Sequence, residues 1–590
     1  MSCPPCIMSG TSDASTTDVD PSPNDATTAP PLSALFLIIF DQKVGYTIAW
    51  KRSAVNVPLD GAVEFKSLPS GLHTVKHDLV YFVHQGYAGL SAFVNGPASE
   101  SERNAHLVSV GILVPLSYGR LGRSWLHAQS LQDLAAVLVD DASKTDPLEQ
   151  FWEQHRVDHT PDSQSPKLPV QSSGSEPPSS KLKAHRRSRT LSSVTAVLPS
   201  EQSLPPSHPA LSIIKYIDTF GPLLFPLQRA ALLRKRILFI APPPVRLTCE
   251  FVYDLSILSS IPASVYDILP PGSESLHRLR SFFALGIHDI PLLEKESTAP
   301  QSRETAHDEG EDSAKGWVAC TTDEILGIKK KLYDIIVELP PTYEHAPRER
   351  RWPTVKTSKG TELKASQRDL IRYKLLHQQL WKIGHRPHAR DIEPEEEETT
   401  DDTTTLLPHD DGTKDSDESD DGLDDKVVEP MSWSQLAYSG FMWWASAGEN
   451  DAYLSEETDR DRKLLGDLSD FVPGGLIPAE GGAAADPMST SGVARAGLHA
   501  AIIAYFHRLT ALMLTAMADL IEAADEEEDA TVGGEEDGVL VVRRDDVTRM
   551  GLDAWSEVDK AFTRECLGLY FGREADVYGP SLECCGMRIC

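Results

Sequence analysis

The chain has little cysteine, few basic residues for its acidic content, and no apolar run long enough to cross a membrane. Eight cysteines among 590 residues are too few for a small disulfide-built secreted fold and indicate a reducing, cytosolic compartment. No basic segment precedes an apolar one near the N-terminus, so no secretory signal is predicted. The apolar run from Leu32 to Phe40 is too short, and the helical pattern from Ile502 to Ile521 contains His507 and Arg508, so no transmembrane segment is predicted.

The acidic excess is concentrated in two tracts. The chain carries 56 basic and 88 acidic residues, a formal net charge of −32. Residues 391–430 contain eighteen acidic residues and two lysines, and residues 522–537 contain nine acidic residues and no basic ones. The remainder is only mildly acidic and has no basic surface signature, so no nucleic-acid partner is predicted.

Motifs for covalent chemistry are also missing. The sequence has no Walker-type phosphate loop, no HExxH, no G-x-S-x-G and no ladder of Cys-x-x-Cys pairs, so no metal, cofactor or nucleophile is predicted. Cys3 and Cys6 have a suitable interval but no second pair. Cys584, Cys585 and Cys590 leave two interpretations open: ordinary thiols, which we favour, or attachment of lipid or metal.

Two pairs of strand-like segments occupy the region between Leu32 and Val114. Leu35–Phe40 and Tyr46–Trp50 flank a short polar turn, and Asp78–Val83 and Tyr87–Val94 flank another, so each pair predicts a β-hairpin. A further strand follows, and apolar residues at helical spacing then predict a helix within Leu116–Leu138.

Helices and buried strands alternate beyond a Ser- and Pro-rich stretch. Helices are predicted within Leu211–Phe220, Leu227–Arg236 and Val245–Leu258, and apolar strands within Ile237–Ala241, Gly316–Thr321 and Tyr333–Leu339. This succession is typical of an α/β layer with buried strands. Thr322 is the predicted N-cap of the helix after the second of these strands. Further helices are predicted within Ser366–Gly384, Ala494–Ala523 and Trp555–Phe571.

Several of these segments together resemble a known family. The strings FDQKVGYTIAWK, VEFKSLPSGLH, DLVYFV, GYAGLSAFVNGP and SVGILVPLSYGR occur in this order, and the set is similar to the N-terminal, longin-like module of DENN-domain proteins, specifically the LCHN-type branch found in fungi. The resemblance implies a mixed α/β (α+β) fold: a longin-like antiparallel sheet with a helix, then a DENN-type α/β module and a helical C-terminal part, with long disordered inserts.

The resemblance and the composition together predict six regions. They are a disordered tail (1–31), a longin-like module (32–156), a disordered linker (157–209), a central DENN α/β module (210–390), an acidic disordered linker (391–430) and a helical C-terminal module (431–590).

The resemblance also implies a partner, a Rab-family small GTPase, and candidate residues that contact it. The residues predicted to bind the partner are Lys66, Ser67, Leu68, Pro69, Ser70, Gly71, Thr322 and Asp323. Arg120 and Arg123 lie in the strand-to-helix region where relatives of the folliculin type carry an arginine finger, although helix-start arginines more often contact solvent or the sheet edge. Thr190 and Ser192 follow arginines at a spacing that basophilic kinases read, and are predicted phosphorylation sites.

Family membership implies that the chain promotes exchange of GDP for GTP on a membrane-trafficking Rab. Two alternatives stay open. One is a GTPase-activating protein that uses Arg120 as its finger. The other is a non-enzymatic scaffold at endomembranes or lipid droplets, which would use the aromatic stretch Met431–Trp444 and the basic linker patch for peripheral membrane contact. In each case the predicted location is cytoplasmic, either free or peripheral on endomembranes or lipid droplets.

Overall fold

A computed structural model provides the structure of this chain. It describes residues 29–41, 43–97, 106–156, 204–298, 316–340, 351–384, 426–431, 435–436, 449–469, 487–530, 539–578, 583–584 and 587–588. Thr190 and Ser192, most of the predicted tail and linkers, and most of the aromatic stretch Met431–Trp444 lie outside these residues.

Five antiparallel strands form the N-terminal part of the sheet. They are β1 (Ala34–Asp41), β2 (Gly45–Ser53), β3 (His77–His84), β4 (Tyr87–Gly96) and β5 (His106–Pro115). Both predicted hairpins are confirmed, since β1 pairs with β2 and β3 with β4. The first turn closes on Asp41, whose carboxylate accepts hydrogen bonds from the backbone N–H groups of Lys43 and Val44 at 2.7 and 3.0 Å.

Four parallel strands and one antiparallel strand form the central part. They are β6 (Ile237–Ile240), β7 (Arg280–Ala284), β8 (Trp317–Thr321), β9 (Ile335–Glu338) and the antiparallel β10 (Thr354–Thr357). The parallel strands are almost continuously apolar because helices cover both of their faces. In the described residues the two parts meet where β3 pairs with β7 at Phe82 and Phe283, which gives one ten-stranded sheet of order β10-β9-β6-β8-β7-β3-β4-β5-β1-β2.

Helices cover this sheet and build the C-terminal part. They are α1 (Val63–Ser67), α2 (Ala128–Leu138), α3 (Asp146–His155), α4 (Ile213–Phe220), α5 (Leu224–Leu232), α6 (Arg246–Leu258), α7 (Ile290–Thr298), α8 (Glu324–Ile328), α9 (Gln367–Gly384), α10 (Glu449–Leu464), α11 (Gly466–Ser469), α12 (Pro487–Ala530), α13 (Arg544–Arg549) and α14 (Glu557–Cys566). Short strands β11 (Leu540–Val542), β12 (Ala575–Val577), β13 (Glu583–Cys584) and β14 (Met587–Arg588) complete the chain. The predicted fold class is confirmed.

Two local predictions differ from the structure. The helix predicted within Leu116–Leu138 is present but occupies only Ala128–Leu138, because Gly119 and Gly122 have φ angles of +117° and +56° that an α-helix cannot contain. The N-cap of α8 is Asp323 rather than Thr322. One residue earlier, the hydroxyl of Thr321 accepts a hydrogen bond from the Asp323 backbone N–H at 3.0 Å.

Two helical stretches, residues 209–232 and 497–526, are long and apolar enough to cross a membrane by length and composition. No such segment was predicted from the sequence. In the structure the 18-residue apolar window of the first stretch is 72% buried inside the protein, and that of the second is 56% buried. Their apolar character is therefore used in packing, with Phe225 of the first stretch against Phe506 of the second at 5.9 Å between ring centroids.

A buried ion cluster attaches the C-terminal part to the central part. Arg229 of α5 donates two hydrogen bonds to Asp369 of α9, at 2.8 and 2.6 Å, and lies 3.0 Å from Asp559 of α14. All three side chains are buried. Burial lowers the pKa of Arg229, but the two carboxylates outweigh it and raise the pKa above its usual value. One guanidinium thus joins three helices that are far apart in sequence.

Replacing Arg229 with leucine is expected to lower the free energy of unfolding by about 3–5 kcal/mol, because two buried carboxylates lose their shared cation. Urea denaturation followed by circular dichroism measures the change. Lys235→Ala is the matched control: its ion pair with Glu565 is 36% and 50% exposed and should contribute less than about 1 kcal/mol. Similar losses in both variants would contradict this account of the cluster.

Asp254 of α6 is a buried carboxyl group that faces no cation among the described residues. Ser212 donates a hydrogen bond to its Oδ2 at 2.6 Å, and its Oδ1 has no hydrogen-bond partner there. Burial raises the pKa of Asp254 well above its usual value, so the folded state favours the protonated acid.

The variant Asp254→Asn is expected to be more stable than the natural chain at pH 7, by about 1–2 kcal/mol, because asparagine removes the cost of ionising a buried acid. The pKa of Asp254 is higher in the folded state than its value of about 4 in the unfolded state. The contribution of Asp254 to stability is therefore complete below about pH 4 and is lost as the pH rises towards the folded-state pKa. Thermal denaturation from pH 4 to 7 should therefore show a growing advantage for the variant. A difference in stability between the two proteins that does not change with pH would contradict a raised pKa for Asp254.

Candidate partner-binding groove

Strands β6, β8 and β9 run parallel, so their carboxyl ends meet at one edge of the sheet, where α/β proteins usually bind ligands. A groove of about 730 Å³ opens at this edge. The chain segment between α1 and β3 forms one wall and the start of α8 forms another. The lining residues are Ser70, Gly71, Ile240, Ala241, Pro242, Pro243, Thr322, Glu324, Gly327, Ile328, Ile336, Glu338 and Leu339.

Lys66 lies outside the groove and connects the two parts of the sheet. Its Nζ donates to the backbone carbonyl of Val83 at 3.0 Å and forms an ion pair with Asp289 at 2.5 Å. Beside it, the rings of Phe65 and His288 stack with centroids 3.8 Å apart. Lys66 therefore stabilises the contact between α1 and the turn before α7.

The rest of the predicted segment divides into a buried part and a part that reaches the groove. Ser67, Leu68 and Pro69 are buried in the core, and the Ser67 carbonyl accepts a hydrogen bond from Ser91 at 3.2 Å. Ser70 and Gly71 line the groove. Gly71 has a φ of +84°, and a Cβ there would lie 3.1 Å from the Cγ of Pro243, so the backbone approach requires glycine.

Thr322 and Asp323 stand at the start of α8, on the opposite wall. The hydroxyl of Thr322 is buried and has no hydrogen-bond partner in the part of the chain that the structure describes. Asp323 caps α8 with extended backbone. The helix itself exposes two large apolar side chains, Ile325 at 54% and Ile328 at 77%. The structure therefore brings Ser70, Gly71 and Thr322 together at one groove, with Asp323 adjacent.

The groove has an apolar floor and an acidic rim. Ile240, Ile336 and Leu339 form the floor, and the exposed carboxylate of Glu324 stands at the rim. Glu338 also lines the groove, but its carboxylate forms an ion pair with Lys356 at 3.0 Å. No group of three or more His, Cys, Asp or Glu side chains that could hold a metal occurs among the residues described. The surface is thus chemically suited to hold an apolar protein segment that carries basic side chains.

Arg120 is held inside the protein, away from the groove. Its Nη2 donates to the carbonyl of Ser256 at 3.1 Å and to the hydroxyl of Ser260 at 2.7 Å. Burial lowers the pKa of Arg120 to about 10. Because α6 has thirteen residues and begins beside the groove, Arg120 lies about 20 Å from it along the helix axis.

Arg120 is one of four side chains from other segments of the described chain that bond C-terminal carbonyl groups of α6. Two of these carbonyls also have a nearby partner: Ser256 accepts from the Ser260 hydroxyl and Ile257 from the Ser260 backbone N–H, both at 3.0 Å. The Ile257 carbonyl is 3.1 Å from His507 Nε2 of α12, the Leu258 carbonyl accepts from Gln228 at 3.2 Å, and the Ser259 carbonyl accepts from Arg234 at 3.2 Å. A helix leaves these carbonyls without partners of its own. Arg123 lies nearby in the chain, half-buried in a turn with a φ of +56°.

Most of the groove was not predicted from the sequence. Ile240, Ile336, Glu338 and Leu339 were interpreted only as parts of buried strands. A signal was available, because the last residues of parallel strands share one sheet edge. The order of the strands, which decides which ends are neighbours, is a long-range property that the sequence pattern does not contain.

Comparison with known proteins agrees with this architecture. The family model described as DENN domain-containing protein 11 matches residues 35–349, and a domain of unknown function (DUF4484) matches residues 428–590. The DENN domain-containing protein 11 of Danio rerio is 32% identical over 345 residues, which cover 58% of this chain and 60% of the relative. The Xenopus laevis protein of the same name is 31% identical over 347 residues, which cover 58% of this chain and 68% of the relative.

A fungal relative matches over nearly the whole length. The uncharacterized protein ANR2 of Saccharomyces cerevisiae is 22% identical over 599 residues, and the alignment covers 94% of each chain. The alignments to the two animal relatives each cover 58% of this chain. With a family model over more than half of the chain and relatives above 30% identity, this chain belongs to the DENN domain family.

Proposed function

We propose that this chain is an LCHN-type DENN protein that promotes nucleotide exchange on a Rab-family GTPase, and that the GTPase binds at the groove. The observation that carries the proposal is the composition of the groove. Two segments that mark the family, at Ser70–Gly71 and at Thr322, form its walls, and exposed Ile325 and Ile328 stand beside it. Membership of a family that acts in general on Rab proteins supports the same assignment.

An exchange factor needs no catalytic side chain. It binds the nucleotide-free form of the GTPase more tightly than the nucleotide-bound form, and the difference in binding free energy moves the switch segments away from the nucleotide and its Mg²⁺. A rigid sheet edge with an apolar floor suits this task, because it can hold a switch segment in one displaced position. The exposed carboxylate of Glu324 at the rim favours a segment with lysine or arginine beside its apolar residues.

The activating alternative receives no support from the geometry. An arginine finger must extend into the nucleotide site of the GTPase, whereas Arg120 is bonded to Ser256 and Ser260 inside the protein. The proposed location is the cytoplasmic face of endomembranes, where membrane-trafficking Rabs act.

The full-length chain is expected to accelerate release of a fluorescent GDP analogue from one or a few members of a panel of purified Rab proteins. Acceleration should require no GTP hydrolysis, and Arg120→Ala should not change hydrolysis at all. Lack of acceleration across the whole panel would overturn the exchange proposal and favour the scaffold alternative.

Ile328→Asp is expected to reduce the acceleration at least tenfold, because a charge is then placed without a partner in the apolar contact. Ile328 is 77% exposed, so the free energy of unfolding should stay within about 0.5 kcal/mol of the natural value. Ile371→Asp is the matched control, since Ile371 is a 41% exposed isoleucine on α9, outside the groove. Equal loss of exchange in both variants would exclude the groove as the binding site.

A further inference from the structure

Helix α6 begins shortly after two residues of the groove and has no capping side chain of its own. Val245 stands at its N-cap, where a residue with a side-chain oxygen is usual, and its first turn contains no acidic residue. The first N–H groups of a helix need acceptors from elsewhere, and the positive end of the helix dipole favours a carboxylate there. Another part of the protein supplies both.

The acceptor is Asp78, on strand β3 of the N-terminal part of the sheet. Its carboxylate accepts the backbone N–H of Val245 at 2.5 Å and that of Arg246 at 3.1 Å, and also the N–H of Leu79 at 2.8 Å. Asp78 is only 5% exposed. Hydrogen bonds to an ionised acceptor are stronger than neutral ones, so this carboxylate fixes the first turn of α6 to β3.

The Asp78 contact joins two segments that line the groove. Pro242 and Pro243, which line it, come shortly before the capped turn of α6, and Ser70 and Gly71, which also line it, come shortly before β3. A Cβ at Gly71 would lie 3.1 Å from the Cγ of Pro243, so the two segments touch. One carboxylate therefore holds together groove segments that belong to different halves of the sheet.

The N-terminal part of the protein also bonds the other end of α6. Arg120 donates to the Ser256 carbonyl and the Ser260 hydroxyl, about 20 Å from the first turn along a helix of thirteen residues. The sheet pairing at Phe82 lies about 13 Å from Asp78 along β3. Removal of the Asp78 carboxylate would therefore release α6 at the end next to the groove, while the Arg120 contacts still hold its other end.

We propose that the Asp78 carboxylate is a positioning group of the partner-binding groove, which holds the Pro243 segment against the Gly71 segment at the separation that the GTPase fits. The effect on GTPase binding rests on the proposed exchange function, whereas the effect on the two segments does not. Asp78 acts through the backbone of α6, because its own side chain is buried. Without the carboxylate the two segments move apart more easily, and the groove binds the GTPase less tightly.

Asp78→Asn tests the proposal, because asparagine has a similar shape but offers one acceptor oxygen in place of two. GDP release is measured at a fixed concentration of the full-length chain and increasing concentrations of the GTPase. The GTPase concentration that gives the half-maximal rate should rise roughly fivefold or more, while the maximal rate changes less than about twofold. A variant that is merely less stable would instead lose maximal rate in proportion to its unfolded fraction.

Asp254→Asn is the matched control. It is the same substitution at a buried carboxyl group on the same helix, and Asp254 bonds Ser212 of the central part and does not line the groove. Both the half-maximal concentration and the maximal rate should equal those of the natural chain. An equal shift in the two variants, or no shift in Asp78→Asn, would overturn the role of Asp78 in GTPase binding.

Hydrogen–deuterium exchange of backbone amides tests the groove segments without any GTPase. In the full-length Asp78→Asn chain, the amides of residues 70–75 should exchange roughly fivefold faster or more, and those of residues 254–259 at the far end of α6 should not change. Unchanged exchange at residues 70–75 overturns the proposal whatever the GDP release shows. A natural chain that accelerates GDP release from no GTPase contradicts the exchange function instead, and the amide measurement then still decides whether Asp78 holds the groove segments.

Discussion

The last four carbonyl groups of α6 (Arg246–Leu258 with its cap Ser259) are the point on which the assembly of this protein depends. A helix end buried without partners is costly, and here four side chains from three separate places in the sequence supply partners. Arg120 follows the N-terminal sheet, Gln228 and Arg234 precede and follow the end of α5, and His507 belongs to the long C-terminal helix. The end of one central helix thus receives hydrogen bonds from the N-terminal, central and C-terminal parts of the protein, in addition to those from neighbouring Ser260.

The ion cluster around Arg229 also joins parts of the protein that are far apart in the sequence. It bonds Asp369 and Asp559, which lie in two helices that the chain reaches after long intervals. The region matched by the DENN family model and the region matched by the domain of unknown function are thus packed against each other through buried polar contacts as well as through apolar ones.

Local patterns in the sequence were sufficient to find the strands and most helices, because alternation and helical spacing depend on near neighbours. Both hairpins, the buried strand at Ile237–Ile240 and the long C-terminal helix were found in this way. The roles of Arg120 and Lys66 were not accessible, since each is defined by a partner more than a hundred residues away. Thr322 and Gly71 were found through family resemblance, whereas the strand ends that complete the groove depend on the order of strands in the sheet.

The pairing of β3 with β7 at Phe82 and Phe283 is the narrowest connection in the sheet. Phe283 has a φ of +58°, and the pairing of β7 with β8 is irregular on the same stretch. Ser70 and Gly71 belong to the half of the sheet before this seam, while Ile240, Thr322 and Glu338 belong to the half beyond it. The two walls of the groove therefore belong to different halves of the sheet, and within the sheet these halves are joined by one residue pair. A change in the angle between the two halves would change the width of the groove.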